Sequence, residues 1–203
     1  MQEIILNKNN RVQAIQKALE VLRVGGTIVY PTETSYGLGG DFFDAKISEK
    51  IYQIKERDKG RPLSVIVPDM IYATSLVTFS ESAKRLAAEY WPGPLTLVLP
   101  YKYCEFNSHC DDYLALRVSS HPFAADLSLN FGNPLVATSA NTHNSPDMYE
   151  PKSIIKQFSA LKNKPDLFIN AGELPKQRPS TIIKVTADNK VEILRQGDLK
   201  IKI

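Results

Sequence analysis

The sequence is poor in features that mark several large classes of protein. Only two of its 203 residues are cysteines, which argues against a disulfide-stabilised scaffold. The longest aliphatic runs, such as LTLVL, fall far short of the ~20 apolar residues that span a membrane as a helix. The first residues, MQEIILNKNN, lack the basic segment and long apolar run of a signal peptide. These absences predict a cytoplasmic protein without membrane association.

Motifs of familiar chemistry are also missing. There is no G-x-x-x-x-G-K-[ST] loop, so a nucleotide would not be held in the manner of a P-loop enzyme. A glycine cluster after the first strand is not a dinucleotide fingerprint, because Phe42 stands at the third glycine position. Cys104, His109 and Cys110 lie close together but lack the spacing of zinc-finger ligands, and no nucleophilic triad is evident. We therefore predict no metal site and no tightly bound cofactor.

Charge is nearly balanced along the chain. There are 25 lysines and arginines against 22 aspartates and glutamates, a formal net charge of +3. So small an excess does not suit the general coating of a nucleic acid. It favours anionic ligands that are gathered at one site.

Helical and extended patterns alternate along most of the chain. Apolar residues at helical spacing from Val12 to Leu22 predict a first helix. Strands are predicted at TIVYP, LSVIVP, LTLVLP, LALRV, PLVATS and DLFIN, with a terminal hairpin that turns at Asp188–Asn189. This alternation predicts an α/β fold with a mixed sheet. With no linker or break in composition, the sequence predicts a single domain over residues 1–203.

Three polar segments are candidates for ligand binding. The first, PTETSYGLGG, is predicted to be a loop after a buried strand. The hydroxyls of Thr32, Thr34 and Ser35 could contact a ligand, and the three glycines that follow let backbone amides approach one closely. A tight turn between a strand and a helix explains this segment equally well.

The second segment, KERDKGRPLS, places Lys55, Arg57, Lys59 and Arg61 at every second position. Its glycine and proline favour an extended or turn conformation. In an extended chain the four cations share one side and the two acidic residues the other. Because arginine forks suit phosphate oxygens, this row could hold a polyphosphate. A solvated charged loop is the alternative.

The third segment, LVATSANTHNSPD, presents Ser139 and Asn141 at the carboxyl end of a strand, where open α/β sheets bind ligands. A polar connecting loop is the alternative. Arg117 lies in the apolar strand LALRV and needs an anionic partner, which could be a ligand or a structural carboxylate. Arg195, at the end of the terminal hairpin, poses the same choice.

Seven segments follow one another in an order typical of one enzyme family. The first two are GGTIVYPTETSYGLGGD and IYQIKERDKGRPLSVIV, which holds a K-x-R motif at Lys55–Arg57. WPGPLTLVLP, LALRVSSHP and PLVATSAN follow, the last with an S-x-N motif at Ser139–Asn141, and PSTIIKV and ILRQGD complete the set. Over nearly its whole length the chain resembles the YrdC-like threonylcarbamoyl-adenylate synthases, in their short, single-domain form.

This resemblance implies a fold and a reaction. The fold would be a twisted mixed β-sheet flanked by helices, with a basic concave face. Such nucleotidyltransferases combine L-threonine, bicarbonate and ATP into threonylcarbamoyl-AMP and release pyrophosphate, with Mg²⁺ accompanying ATP as substrate. A partner transferase complex then transfers the threonylcarbamoyl group to ANN-decoding tRNAs, and a weak contact of the chain itself with tRNA is compatible with that role.

The resemblance also implies roles for single residues. Lys55 and Arg57 would be catalytic, by neutralising charge at the phosphates. The ATP-binding residues would be Arg57, Arg61, Ser139, Asn141, Ser180 and Arg195. Thr34 and Arg117 would position threonine, Arg117 through the threonine carboxylate.

The sequence departs from the family pattern at two positions. Asp58 follows the K-x-R motif where many members have proline. Since it puts a negative charge beside the expected phosphate site, we expect it to point away or to pair with Lys59. Ile66 stands where some members have a histidine near threonine, so the resemblance does not carry that contact over.

Two other functions compete with the synthase. A paralogue of the same fold without adenylation activity would tend to have eroded K-x-R and S-x-N motifs, whereas both are intact here. An RNA-binding module would use a basic concavity without catalysis. The net charge of +3 and the absence of aromatic stacking motifs weigh against it.

Overall fold

The structure is a computed structural model, and it describes residues 1–58, 62–103 and 112–201. The helices in these ranges are α1 (Arg11–Arg23), α2 (Ala45–Ile54), α3 (Met70–Leu76), α4 (Glu81–Tyr90), α5 (Pro122–Phe131) and α6 (Pro151–Ala160). The strands are β1 (Gln2–Ile5), β2 (Ile28–Pro31), β3 (Tyr36–Gly39), β4 (Ser64–Ile66), β5 (Leu95–Pro100), β6 (Tyr113–Arg117), β7 (Leu135–Val136), β8 (Thr138–Ser139), β9 (Leu167–Asn170), β10 (Thr181–Val185) and β11 (Val191–Arg195). None of the helices described is long and apolar enough to cross a bilayer.

The strands form two mixed sheets, where the sequence predicted one. The first sheet has five strands in the order β1-β9-β2-β3-β8, and the second has six in the order β11-β10-β5-β6-β4-β7. Strand β2 pairs antiparallel with β3 and parallel with β9, and β5 pairs antiparallel with β6 and parallel with β10. The predicted α/β class, with mixed sheets and flanking helices, is confirmed.

The segment PLVATS, predicted as one strand, crosses from one sheet to the other. Its first half, β7, pairs with β4 in the second sheet, and its second half, β8, pairs with β3 in the first. Between them, the Ala137 N–H donates to the Ser64 carbonyl oxygen at 2.8 Å, and Ser64 Oγ donates to the Ala137 carbonyl oxygen at 2.7 Å. The backbone therefore stays hydrogen-bonded through the crossing, and one short segment ties the two sheets together.

Residues Tyr36–Gly39 form a strand, whereas the sequence predicted a loop throughout PTETSYGLGG. Antiparallel pairing with β2 confines the turn to Thr32–Ser35. Glycine is disfavoured in strands, which is why propensity does not indicate β3. A Cβ atom on Gly39 would lie 2.4 Å from the Val136 carbonyl oxygen and 2.8 Å from the Tyr30 ring. At this position glycine allows close packing, whereas the sequence offered a ligand approach or a tight turn as its reasons.

Helix ends follow local sequence chemistry. Asp44 caps α2, since its side chain accepts the Lys46 N–H at 2.9 Å. Helix α5 starts with Pro122 at its first position and ends at Phe131, where the C-cap Gly132 is left-handed with φ of 83°. These ends determine where the chain leaves each helix toward the sheets.

The buried face of α1 differs from the predicted one. Val12 is 66% exposed, although its spacing placed it on the apolar stripe. The buried positions include Ala14 and Ala18, small residues that let α1 lie close against α5. Helix α5 also contacts β2, so these two helices cover one face of the first sheet.

The terminal hairpin is confirmed, because β10 and β11 pair antiparallel. Asn189 in its turn has φ of 65°, a left-handed conformation that asparagine tolerates. Helix α3 and strand β1 were not expected. Both are short, seven and four residues, and neither gives a distinct periodic pattern.

Replacing Gly39 with alanine should lower the free energy of unfolding by about 1–3 kcal/mol, because the methyl group overpacks against the Val136 carbonyl and the Tyr30 ring. Gly37→Ala is the matched control on the same strand. Its Cβ would meet Thr32 and Tyr30 at 3.4 Å, an ordinary contact distance. Urea denaturation of both variants measures the difference, and equal stabilities would contradict the packing role of Gly39.

Candidate active site

A cavity of about 890 Å³ opens where the two sheets meet, a size typical of small-molecule sites. Its wall includes the β2–β3 turn, the segment after α2, the β7–β8 crossing and the terminal hairpin. The described residues to which the resemblance assigned roles all line it: Thr34, Lys55, Arg57, Arg117, Ser139, Asn141, Ser180 and Arg195. Their individual roles stay predictions. Arg61 and the stretch 104–111, with the cysteine and histidine cluster, lie outside the described residues.

The stretch KERDKGRPLS begins as a turn. Helix α2 ends at Ile54, Lys55 keeps helical dihedrals as its C-cap, and Glu56 reverses the chain with φ of 48°. Lys55 and Arg57 line the cavity, whereas Glu56 and Asp58 are exposed outside it. The predicted separation of charges is therefore present in the described part of this stretch. The left-handed conformation of Glu56 causes this separation, in place of the extended chain that we considered from the sequence.

Lys55 joins the K-x-R motif to the S-x-N motif. Its Nζ donates to the carbonyl oxygens of Ser139 at 2.5 Å and Asn141 at 2.8 Å, and to Asn141 Oδ1 at 2.9 Å. In the opposite direction, the His143 N–H donates to the Lys55 carbonyl oxygen at 2.7 Å. The residue is only 3% exposed, so these oxygens replace the water that an ammonium group needs. Lys55 thus supports the cavity wall as well as lining it.

Protonation of Lys55 is finely balanced. Burial, together with the nearby charge of Arg57, lowers the pKa of Lys55 to about 7, while Asp147 acts in the opposite direction. The oxygens around Nζ favour the ammonium form, which has one proton for each of them. An anion bound beside Arg57 would offset the like charge and raise the pKa of Lys55. The charge of this lysine can therefore respond to an anionic ligand near neutral pH.

The S-x-N turn is also held by its own side chains. Ser139 Oγ donates to Asn141 Oδ1 at 2.7 Å, and Asn141 Nδ2 donates to the Ser145 carbonyl oxygen at 2.5 Å. A hydrogen bond between the hydroxyls of Thr142 and Ser145 holds the turn that follows. Short polar residues in this segment thus build the cavity edge in addition to facing it.

Arg195 is oriented by the strand beside it. Its Nε donates to the Ser180 carbonyl oxygen and its Nη2 to Ser180 Oγ, both at 3.0 Å. Ser180 Oγ also lies 2.8 Å from Thr96 Oγ1. Burial lowers the pKa of Arg195, while Asp147 raises it and Arg117 lowers it. The hairpin end therefore presents a positioned guanidinium to the cavity.

Arg117 has a structural carboxylate as its partner, one of the two choices that the sequence left open. Its Nη1 donates to Glu33 Oε1 at 2.6 Å, and Glu33 Oε2 accepts a short hydrogen bond from Ser119 Oγ. Arg117 lines the cavity from the end of β6, and Glu33 belongs to the β2–β3 turn. In that turn Thr34 Oγ1 lies 3.1 Å from Thr32 Oγ1. The turn and β6 therefore approach each other at one end of the site.

Cations outnumber carboxylates among the described residues that line the cavity. The cations are Lys55, Arg57, Arg117, Lys184 and Arg195, and the carboxylates are Asp112 and Asp147. Lys184 Nζ lies 4.0 Å from the centre of the Tyr113 ring, a cation–π contact. Such a wall favours anionic ligands, and their binding here stays a prediction.

Comparison with known proteins assigns the chain to a family. Residues 20–197 match the Sua5_yciO_yrdC family, described as "Telomere recombination". The chain belongs to this Sua5/YciO/YrdC family. The resemblance drawn from the sequence motifs is therefore confirmed at the level of the family.

Three relatives show how far the likeness extends. The threonylcarbamoyl-AMP synthase of Pyrococcus abyssi is 31% identical over 98% of this chain and 59% of its own length. The crystal structure of P. abyssi Sua5 complexed with L-threonine has a TM-score of 0.85 and 28% identity, over 98% of this chain and 57% of that one. Escherichia coli YciO has a TM-score of 0.83 and 27% identity, over 97% and 95%. The chain thus spans rather more than half of the length of the P. abyssi proteins. The name threonylcarbamoyl-AMP synthase agrees with the predicted enzyme class.

Sequence patterns did not predict several residues that line this family member's cavity or support its wall. Thr96 lies inside the strand LTLVLP, where a lone hydroxyl between leucines was the available clue. Asp147 and Lys184 line the cavity, and Glu33 holds Arg117 from between two threonines, but no pattern distinguished them from surface charges. Their places depend on which strands become neighbours, which local sequence does not encode.

The departure at Ile66 has a structural explanation in this member of the family. Ile66 is fully buried in the cluster that includes Phe123 and Leu127 of α5, and it does not line the cavity. Ser64, two residues earlier on β4, does line it. A side chain at position 66 therefore belongs to the core, so its apolar character suits its place.

Replacing Lys55 with methionine should change how stability depends on pH. With a folded pKa of about 7 and an ordinary value of 10.5, Lys55 is neutral in the folded chain and protonated in the unfolded chain between these values. The unfolded state then binds more protons, so the contribution of Lys55 to the free energy of unfolding rises with pH through this window. Below the folded pKa the full cost of a buried ammonium is present.

Urea unfolding of wild type and Lys55→Met across this window measures the effect, and the wild type should gain stability relative to the variant as pH rises. Lys46→Met, at an exposed position of α2, is the control and should keep the wild-type slope. Identical pH profiles for wild type and Lys55→Met would show that the folded pKa of Lys55 is not lowered.

Proposed function

We propose that this chain is a threonylcarbamoyl-AMP synthase. It combines L-threonine, bicarbonate and ATP into threonylcarbamoyl-AMP and pyrophosphate. The observation that carries the proposal is the convergence, in one cation-rich cavity, of residues from both sheets to which the motifs assigned roles. The names of the P. abyssi relatives support the same activity.

The chemistry suits such a cavity. The threonine amine adds to the carbon of CO₂ formed from bicarbonate and loses a proton, which gives a carbamate. A carbamate oxygen then attacks the α-phosphorus of ATP, and the bond to the pyrophosphate leaving group breaks. Because both reactants are anionic, charge repulsion and positioning are the main obstacles, and fixed cations and donors reduce both.

On this proposal the site divides between two substrates. Arg57 and Arg195 bind the ATP phosphates, and Arg61, which lies outside the described residues, is assigned the same role. Hydrogen bonds to the nucleotide come from Ser139, Asn141 and Ser180. Thr34 and Arg117 receive threonine at the end where the β2–β3 turn approaches β6. Lys55 acts through its charge, since its protons are directed to the S-x-N turn.

Magnesium enters this proposal as part of the MgATP substrate. Among the residues that the structure describes, no three His, Cys, Asp or Glu side chains form a group that could hold a metal ion. The phosphates of ATP would then supply the ligands that a Mg²⁺ ion needs, together with water.

The proposal extends to a place in tRNA modification. Threonylcarbamoyl-AMP would pass to a partner transferase complex in the cytoplasm, which modifies ANN-decoding tRNAs. The basic concave face expected of the fold would allow at most a weak contact between this chain and tRNA.

Pyrophosphate release by the purified protein tests the activity. We expect release when ATP, threonine and bicarbonate are all present, and background release when threonine is omitted or when CO₂-free buffer replaces bicarbonate. Release that ignores both omissions would refute the proposal. Absence of release under all conditions would favour a paralogue without adenylation activity.

Arg57→Ala should lower kcat/KM for ATP by about 10- to 100-fold, the effect of losing one charge-assisted phosphate contact. Arg85→Ala, at an exposed position of α4 outside the cavity, is the matched control and should behave as wild type. Circular dichroism and thermal unfolding check that both variants are folded. Wild-type kinetics in folded Arg57→Ala would remove Arg57 from the site.

A further inference from the structure

The geometry points to Glu33 as a positioning residue that orients Arg117 toward the carboxylate of an α-amino acid substrate. No motif in the sequence assigned a role to Glu33. The inference rests on the function proposed above, because it concerns how the threonine end of the site is built. It is carried by the contacts around Glu33, by their burial and by the two sheets that they connect.

The ion pair between Glu33 and Arg117 is shielded from solvent. Their side chains are 12% and 8% exposed, and Arg117 Nη1 lies 2.6 Å from Glu33 Oε1. Arg117 lines the cavity, whereas Glu33 does not. The carboxylate therefore holds the guanidinium from behind the cavity wall. Because the pair is buried, water and salt screen the attraction between the two charges less than at the surface, and the attraction restricts the Arg117 side chain strongly.

Glu33 is itself held in one orientation. Its second oxygen, Oε2, accepts a short hydrogen bond from Ser119 Oγ. Ser119 Oγ in turn accepts the backbone N–H of His121 at 3.2 Å. Ser119 is only 1% exposed, so this support is internal to the fold. Since both carboxylate oxygens are engaged, rotation of Glu33 would break a hydrogen bond, and the direction in which it holds Arg117 is defined.

The held arginine keeps donors for a second carboxylate. A guanidinium has five N–H donors in one plane. Across the described ranges, the hydrogen bond that the Arg117 side chain makes to protein is the one from Nη1 to Glu33. The other four N–H donors, one on Nη1, one on Nε and two on Nη2, still include a fork of two parallel N–H groups, on a residue that lines the cavity. A planar fork of this kind matches the two oxygens of an amino-acid carboxylate.

The same ion pair sets the spacing of the threonine end. Glu33 belongs to the β2–β3 turn of the first sheet, and Arg117 ends β6 of the second. Thr34 follows Glu33 directly and lines the cavity. By joining the turn to β6, Glu33 fixes how far Thr34 lies from Arg117, and so the size of the amino acid that fits between them.

Three variants test the inference in the threonine-dependent pyrophosphate assay. Glu33→Gln removes the charge and keeps the side-chain length, and Ser119→Ala removes the hydrogen bond to Glu33 with little change of shape. Glu20→Gln is the matched control, because Glu20 forms an exposed ion pair with Lys17 on α1. The readouts are KM for threonine, KM for ATP, kcat, and threonine binding by calorimetry without ATP.

We expect Glu33→Gln to raise KM for threonine about 10-fold or more, because the ion pair with Arg117 is lost. Ser119→Ala should raise it about 3-fold, because the Glu33 carboxylate keeps its charge but loses one hydrogen bond that orients it. KM for ATP and kcat should change less than about 2-fold, since the phosphate contacts are untouched. Glu33→Asp, which restores the charge with a shorter reach, should recover part of the threonine affinity. Glu20→Gln should match wild type in all four measurements.

Two results would overturn the inference while leaving the synthase function standing. An unchanged or lower KM for threonine in Glu33→Gln would show that Glu33 does not orient Arg117, or that it competes with the substrate. A parallel loss in kcat and in KM for both substrates would show a general structural role. If Glu33→Gln fails to fold, Ser119→Ala decides by the same criteria. A wild type that neither binds threonine nor depends on it would refute the proposed function, and the inference with it.

Discussion

The contact between the Lys55 side chain and the Ser139–Asn141 turn is the interaction on which the arrangement of the site depends. It joins the end of α2 to the segment that crosses from one sheet to the other, and a backbone bond from His143 returns to the Lys55 carbonyl. A lysine this deeply buried is tolerated because three oxygens match its protons. One side chain thereby holds the K-x-R and S-x-N motifs side by side in the cavity wall.

Two other cations of the cavity wall, Arg195 and Arg117, are also held by protein acceptors. Arg195 is fixed by two oxygens of Ser180, and Arg117 by the carboxylate of Glu33. Each retains charge directed to the same cavity, but its side chain has little freedom to lose when an anion binds. Orientation that is established during folding lowers the cost of organising donors around a phosphate or a carboxylate at the moment of reaction. The proposed reaction between two anions would require this property.

The sequence predicted well those elements whose pattern is local. Periodicity predicted the first helix, from the apolar residues between Val12 and Leu22, and the strand at LTLVLP. Turn residues together with periodicity predicted the terminal hairpin. Strand β3 was missed because its two glycines disfavour a strand, and the close packing of Gly39 against the Tyr30 ring and the Val136 carbonyl appears only in the folded structure. The split of PLVATS into two sheets was missed because both halves have the same local character.

For the site, the sequence by itself determined the type of chemistry: closely spaced cations, short hydroxyl and amide side chains, and an order of motifs that identified the family. Tertiary structure decided which of these groups meet, that Glu33 is the partner of Arg117, and that Lys55 supports the S-x-N turn. The physical reason is distance along the chain. The sequence gives the charge and the side-chain type of each residue directly. A contact between residues far apart in the chain forms only when the two sheets pack and exclude water between them.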